Sequence, residues 1–138
     1  MIDVKGVKEL HELSWDERRG LTIGAAVTLN ELIASEIVRK RFGALWKAAG
    51  TIADPTIRNR ATLVGNICNA SPAADTAPAL LVLDAEVEVV SAKGKRMIPI
   101  REFFKGVKRT SLEREEFVKA VRIPNPPDGA RGDYLKWG

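Results

Sequence analysis

The chain has 138 residues, of which 45% are apolar and 29% charged, so it reads as one soluble globular domain large enough to bury a core without staples. A single cysteine excludes an internal disulfide and an all-cysteine metal or cluster site, and no stretch approaches the ~20 apolar residues of a membrane span. The net charge of +4 is spread among interleaved acids, as in Asp16-Glu17-Arg18-Arg19, with none of the spacings that mark zinc fingers or RNA-binding segments.

Residues 1–3 carry no cap or turn and read as a truncated start. No signal peptide opens the chain, which makes cytoplasm the default location. Val7 to Leu10 is a short turn, and segments 12–15 and 21–25 form a hairpin across the charged loop ending at Gly20. Thr28 with Glu31 makes a capping box for a helix to about Ala34. Ser35 starts a second helix whose apolar face is Ile37, Val38, Phe42, Leu45, Trp46 and Ala49, with Gly50 as terminator.

The stretch from Asp54 to Asp84 concentrates the local signals. Asp54-Pro55 predicts a turn. The run Ala61 to Asn66 ends in Gly65-Asn66, residue types that tolerate tight or left-handed backbone. Ser71-Pro72 predicts a helix start, with Asp75 in the first turn, a helix over about 73–83 and Pro78 inside it. Free backbone N–H groups converging near such a turn and helix start suit an anion or a polar cofactor. Beyond it, 86–89 and 96–100 form a hairpin through Gly94, Arg101 to Lys105 is one helical turn, and 116–123 alternates as a strand. Asn125 to Gly132 is a Pro/Gly loop, and Asp133 to Trp137 starts another strand where the sequence stops, which suggests that more sequence normally follows. Hairpins and helices without a strand–helix–strand rhythm predict an α+β fold, mainly an antiparallel sheet with packed helices.

Four segments resemble one family in order and spacing over nearly the whole chain: IGAAVTLNEL (23–32), DPTIRNRATLVGN (54–66), ASPAADTAPALLVLDA (70–85), and the tail REFFKG, EEFVKAVRIP and YLKWG. The family is the FAD-binding subunit of the molybdenum hydroxylases, with carbon monoxide dehydrogenase medium subunits and xanthine dehydrogenase flavin domains among its members. The resemblance implies that 1–132 is the larger subdomain of the FAD-binding domain and 133–138 the start of the C-terminal domain. It implies an oxidoreductase component, inactive alone, that passes electrons from iron–sulfur clusters to FAD and on to an acceptor. Molybdenum cofactor and 2Fe–2S clusters would lie in a large and a small partner subunit.

The family's flavin contacts fall on Ile52, on the loop Thr62, Leu63, Val64, Gly65 and Asn66, and on Asp75, Val118 and Lys136. Ionised Asp75 only accepts hydrogen bonds and suits a flavin hydroxyl, while Lys136 supplies a cation near phosphate or ring. Gly65-Asn66 as a plain turn and Asp75 as an acid favoured by the helix dipole remain open alternatives. No catalytic constellation is present and the lone His11 reads as a surface residue, but flavin chemistry needs neither.

Two departures from the family matter. Val64 stands where the family has the first of two glycines, which asks whether that backbone needs positive φ. The family's Ala-Gly-Gly pyrophosphate loop is not in the sequence. The expectation is therefore a chain that folds alone, binds FAD weakly or not at all, and exposes an apolar patch prone to self-association. The competing expectations are an interaction or assembly module that does not bind flavin and, further off, a basic nucleic-acid binder.

Overall fold

The computed structural model describes residues 2–137. The expectations placed on Met1 and Gly138 lie outside the described residues. The architecture is α+β, as the hairpin pattern predicts. Strands β1 (Leu13–Asp16), β2 (Gly20–Gly24), β3 (Glu86–Ser91), β4 (Gly94–Pro99) and β7 (Phe117–Ile123) form one antiparallel sheet in the order β1–β2–β7–β3–β4. Leu21 pairs with Ile123, Ile23 with Val121, and Val87 with Val121, so these side chains share one face. That face packs with Leu29, Leu32, Leu45, Leu63, Ile67 and Leu80 into a single core. The opposite face carries Thr22, Glu88, Ala120 and Arg122.

The β1–β2 turn is held by Asp16, whose Oδ1 accepts from the amides of Arg18 at 2.8 Å and Arg19. Gly20 has φ +81, and a Cβ there would sit 2.1 Å from the Ile123 carbonyl, so glycine is needed where β2 meets β7.

Helix α1 (Leu29–Ala34) follows the Thr28 capping box as expected, and Ser35 caps α2 (Glu36–Arg41). The single amphipathic helix predicted to follow Ser35 is two. Phe42, with φ −127 and ψ 47, breaks it; its amide closes α2 on Val38 and its carbonyl opens α3 (Gly43–Gly50) by accepting from Trp46. Burial of the Phe42 ring at the corner favours the bend over a continuous helix. Gly50 does not terminate α3; it is the last helical residue, and Thr51 caps.

In the central stretch three local expectations are overturned. Asp54-Pro55 opens a short helix α4 (Pro55–Arg58), Asp54 Oδ1 accepting from Ile57 N at 3.0 Å. Gly65-Asn66 is not a turn: Thr62 caps helix α5 (Leu63–Cys68), because Leu63, Val64 and Ile67 all bury on one helical face. The helix predicted from Ser71 starts later, as α6 (Ala77–Val82), with Pro78 in its first turn and not in its interior. Ser71 Oγ accepts from Ala73 N and Ser71 O from Ala74 N, a local turn that delays the helix. Asp75 thus precedes α6 and is not a first-turn acid.

After β4, α7 (Ile100–Phe103) leads into a small hairpin, β5 (Phe104–Gly106) with β6 (Arg109–Thr110), which the sequence pattern did not show. The strand predicted over 133–137 does not form; the segment has no strand partner among the described residues and lies against the α3 end and Asp75.

Candidate functional site

The nine family-derived positions fall into two kinds. Leu63, Val64 (6% exposed) and Val118 (4% exposed) bury their side chains in the core, so only their backbone can face a ligand. Val64 is helical and has no positive φ, which answers the question raised by the missing glycine. Thr62, Gly65 and Asn66, in contrast, form the outward stripe of the first turn of α5. The stripe carries no apolar bulk. Thr62 Oγ1 accepts from Gly65 N at 2.9 Å, and a Cβ on Gly65 would lie 3.0 Å from that hydroxyl. A flat, polar, glycine-bearing helix start results.

Asp75 is brought to this stripe by its neighbour. The buried Thr76 hydroxyl donates to Asn66 Oδ1 at 2.6 Å, which leaves the Asn66 amide donors turned to other partners. Asp75 itself receives two groups from the far end of the chain. Tyr134 OH donates to Oδ1 at 3.2 Å, and Lys136 Nζ lies 3.0 Å from Oδ1 and 3.1 Å from Oδ2. Tyr134 and Lys136 are two apart in an extended segment, so both reach Asp75 while Leu135 between them is 91% exposed. The segment is anchored by Asp133, which pairs with Lys47 Nζ at 2.5 Å. Lys47 and the Tyr134 amide hold the Asp133 carboxyl below its usual range. Partial burial, then the charge and hydrogen bond of Asp75, raise the Tyr134 phenol, so it stays a protonated donor.

Ile52 is half-buried on the core edge, as is Tyr134, and the hydroxyl of Thr51, next to Ile52, donates back to the Ala48 carbonyl at 2.8 Å. Thr62, Asn66, Asp75, Tyr134 and Lys136 therefore form a connected surface, joined from beneath by the buried Thr76, with Ile52 on the core edge and Val118 in strand β7. Sequence reasoning missed Tyr134 and Thr76. The alternation of Tyr134 with Lys136 was the available signal for the first, and nothing local marked the second.

The surface is polar, with the Asp75 carboxylate, the Lys136 ammonium, the Thr62 and Tyr134 hydroxyls and the Asn66 carboxamide, a donor set matched to hydroxyls and phosphate more than to a metal. Among the described residues no three His, Cys, Asp or Glu side chains gather as metal ligands. Burial pushes the Cys68 thiol up to about 11, which makes it a poor nucleophile. His11 is exposed, its Nε2 2.6 Å from the Lys5 carbonyl. No helix among the described residues is long and apolar enough to cross a membrane.

Residues 1–126 match the family model described as the FAD binding domain in molybdopterin dehydrogenase. The chain is 39% identical over 127 residues to the xanthine dehydrogenase FAD-binding subunit of Escherichia coli O157:H7, covering 92% of this chain and 44% of that one. It is 34% identical over 136 residues to the carbon monoxide dehydrogenase medium chain of Hydrogenophaga pseudoflava, covering 99% and 47%. The fold superposes on the structure of carbon monoxide dehydrogenase from that organism with a TM-score of 0.88 at 34% identity, covering 93% of this chain and 44% of that one. On quinoline 2-oxidoreductase from Pseudomonas putida 86 the TM-score is 0.85 at 31% identity, covering 96% and 49%. The chain thus spans about half the length of the relatives it matches.

Proposed function

The chain belongs to the family of FAD-binding domains of molybdopterin dehydrogenases, and from that premise we propose that its Thr62–Asn66 helix start, Ile52 and Asp75 form one wall of the FAD site. Residues 1–132 are then the larger subdomain, and 133–138 begin the next one and close the wall through Tyr134 and Lys136. The protein would be one component of a molybdenum hydroxylase-type dehydrogenase. Redox chemistry would be supplied by bound FAD, placed between 2Fe–2S clusters and molybdenum held in partner subunits and an external acceptor.

The observation that carries the reading is the bond from Thr76 to Asn66, because it sets an acceptor carboxylate beside an exposed helix start that has no side chain at Gly65. The backbone donors of the first turn of α5 and the Asn66 amide suit pyrophosphate and ribityl oxygens. Asp75 accepts from a ribityl or ribose hydroxyl. Lys136 balances phosphate charge and pairs with Asp75 beside it. The buried side chains of Leu63, Val64 and Val118 hold the backbone above them rigid, so the donors are pre-oriented.

The test uses the full protein in its complex, stripped of flavin and titrated with FAD. Binding with one equivalent per chain, weakened by Asn66→Leu without loss of assembly, is expected. A complex that assembles normally and takes up no FAD would establish the assembly-module reading.

A further inference from the structure

We propose that Arg58 is the positioning residue of this site, holding the loop that carries Ile52 through that loop's backbone; the inference rests on the flavin reading above. Arg58 Nη1 donates to the carbonyls of Ala53 at 2.9 Å, Ile52 at 3.0 Å and Gly50 at 3.2 Å. Its Nε faces Asn30 Oδ1 at 3.4 Å. Asn30 in turn donates to Pro55 O at 2.9 Å and Asn59 Oδ1 at 2.6 Å. One guanidinium therefore ties together the end of α3, the 51–54 loop, α4 and, through Asn30, α1.

The loop needs such a tie. Ala53 has φ +47, a left-handed conformation that a residue with a Cβ adopts only when its surroundings impose it. The last carbonyls of α3 have no partners within the helix, and a cation at a helix C-terminus satisfies them while matching their partial charge. Asp54 and Pro55 start α4 within two residues of Ala53, so the same short helix that follows the loop aims Arg58 back onto it. Ile57, its neighbour, is exposed and packs no core that would do this work.

Arg58 reaches the site only through others. The loop presents Ile52 half-buried on the core edge, where Tyr134 also packs before donating to Asp75. Releasing the loop frees Ile52. Arg58 thereby fixes where the apolar part of the wall stands, through the Ile52 carbonyl and not through the Ile52 side chain.

The experiment compares Arg58→Met, Arg58→Lys and Asn30→Ala with the unaltered protein, in the full complex, by FAD affinity and by the visible circular dichroism of bound flavin. Methionine keeps the stem and removes every donor; lysine keeps three donors for the three carbonyls but not the Asn30 contact. Arg58→Met should weaken FAD by about tenfold and change the dichroism, with Arg58→Lys restoring most of both. Asn30→Ala should cost roughly threefold. Arg96→Met, which breaks the Arg96–Glu116 pair outside the site, is the control for plain destabilisation and should leave the flavin signal as it was. Wild-type affinity and dichroism in Arg58→Met overturn the proposal and leave the flavin reading standing. Should Arg58→Met fail to fold, unaltered binding in Asn30→Ala together with no rescue pattern in Arg58→Lys overturns it equally. Absence of FAD binding by the unaltered complex overturns both readings.

Discussion

The Thr76 hydroxyl donates to Asn66 Oδ1 at 2.6 Å, and this bond joins the helix start at Thr62 to the carboxylate of Asp75. Thr76 is 0% exposed, so water does not replace the bond when it is lost. Thr76→Val is expected to cost about 1–3 kcal/mol of stability by leaving Asn66 Oδ1 short of a partner, measured by urea unfolding. FAD affinity should fall as well, because Asn66 then turns freely; a variant of unchanged flavin affinity would show that the Asn66 orientation is irrelevant to binding.

Asp75 holds Tyr134 and Lys136 together. Asp75→Ala removes the acceptor and leaves the ammonium of Lys136 without its partner, so FAD should weaken by on the order of 1.5–3 kcal/mol. Tyr134→Phe keeps the ring packed and removes one neutral donor, which predicts about 0.5–1.5 kcal/mol. Calorimetric titration orders the two. Equal affinities in both variants and the parent would remove Asp75 from the site.

Gly65→Ala separates stability from binding. The added Cβ meets Thr62 Oγ1 at 3.0 Å and disturbs the cap, a loss of about 1 kcal/mol. Replacing glycine within a helix returns about the same amount. Thermal stability should therefore stay near that of the parent while FAD binding drops, since the methyl group stands on the outward stripe. Retained binding at retained stability would place the flavin elsewhere.

Val64→Gly should behave in the opposite way. The valine side chain lies in the core and its backbone is helical, so glycine opens a void and weakens the helix, together about 2–3 kcal/mol. The folded fraction should bind FAD as before. Loss of flavin at full stability would mean that the side chain itself makes the contact.

Acid sensitivity should come from two glutamates. Burial pushes Glu88 up, but the hydrogen bond and charge of Arg122, with the charges of Lys119 and Lys95, outweigh it and hold the carboxyl below its ordinary 4.5. Glu116 accepts from Arg96 at 2.7 and 2.8 Å and from the Glu113 amide, which hold it at about 2. A depressed folded pKa gives a contribution that is complete above the unfolded value and lost as pH falls through the folded one. For Glu116 that window runs from 4.5 down to about 2. Acid unfolding followed by far-ultraviolet dichroism should show stability falling through it, with a shallower slope in Glu116→Gln. The same slope in parent and variant would remove Glu116 as a source.

Local signals carried much of the fold. The charged loop ending at Gly20 marked the first hairpin, alternation marked β3 and β7, and the Thr28 capping box placed α1 correctly, because these patterns act over a few residues and their burial agrees with them. The motif residues likewise pointed to the FAD-binding family from sequence alone. Where local chemistry allowed two outcomes, packing decided. Gly65-Asn66 suits a turn or a helix, and burial of Leu63, Val64 and Ile67 against the sheet chose the helix. Phe42 fits a continuous helical face, yet its burial at a corner made two helices. Contacts distant in sequence were legible only in three dimensions. Tyr134 meets Asp75 across 59 residues, and Arg58 gathers three carbonyls from a loop that it follows in the chain. Side chains that find partners so far away carry no periodicity or cap to announce them, so their role is set by where the core brings their backbones.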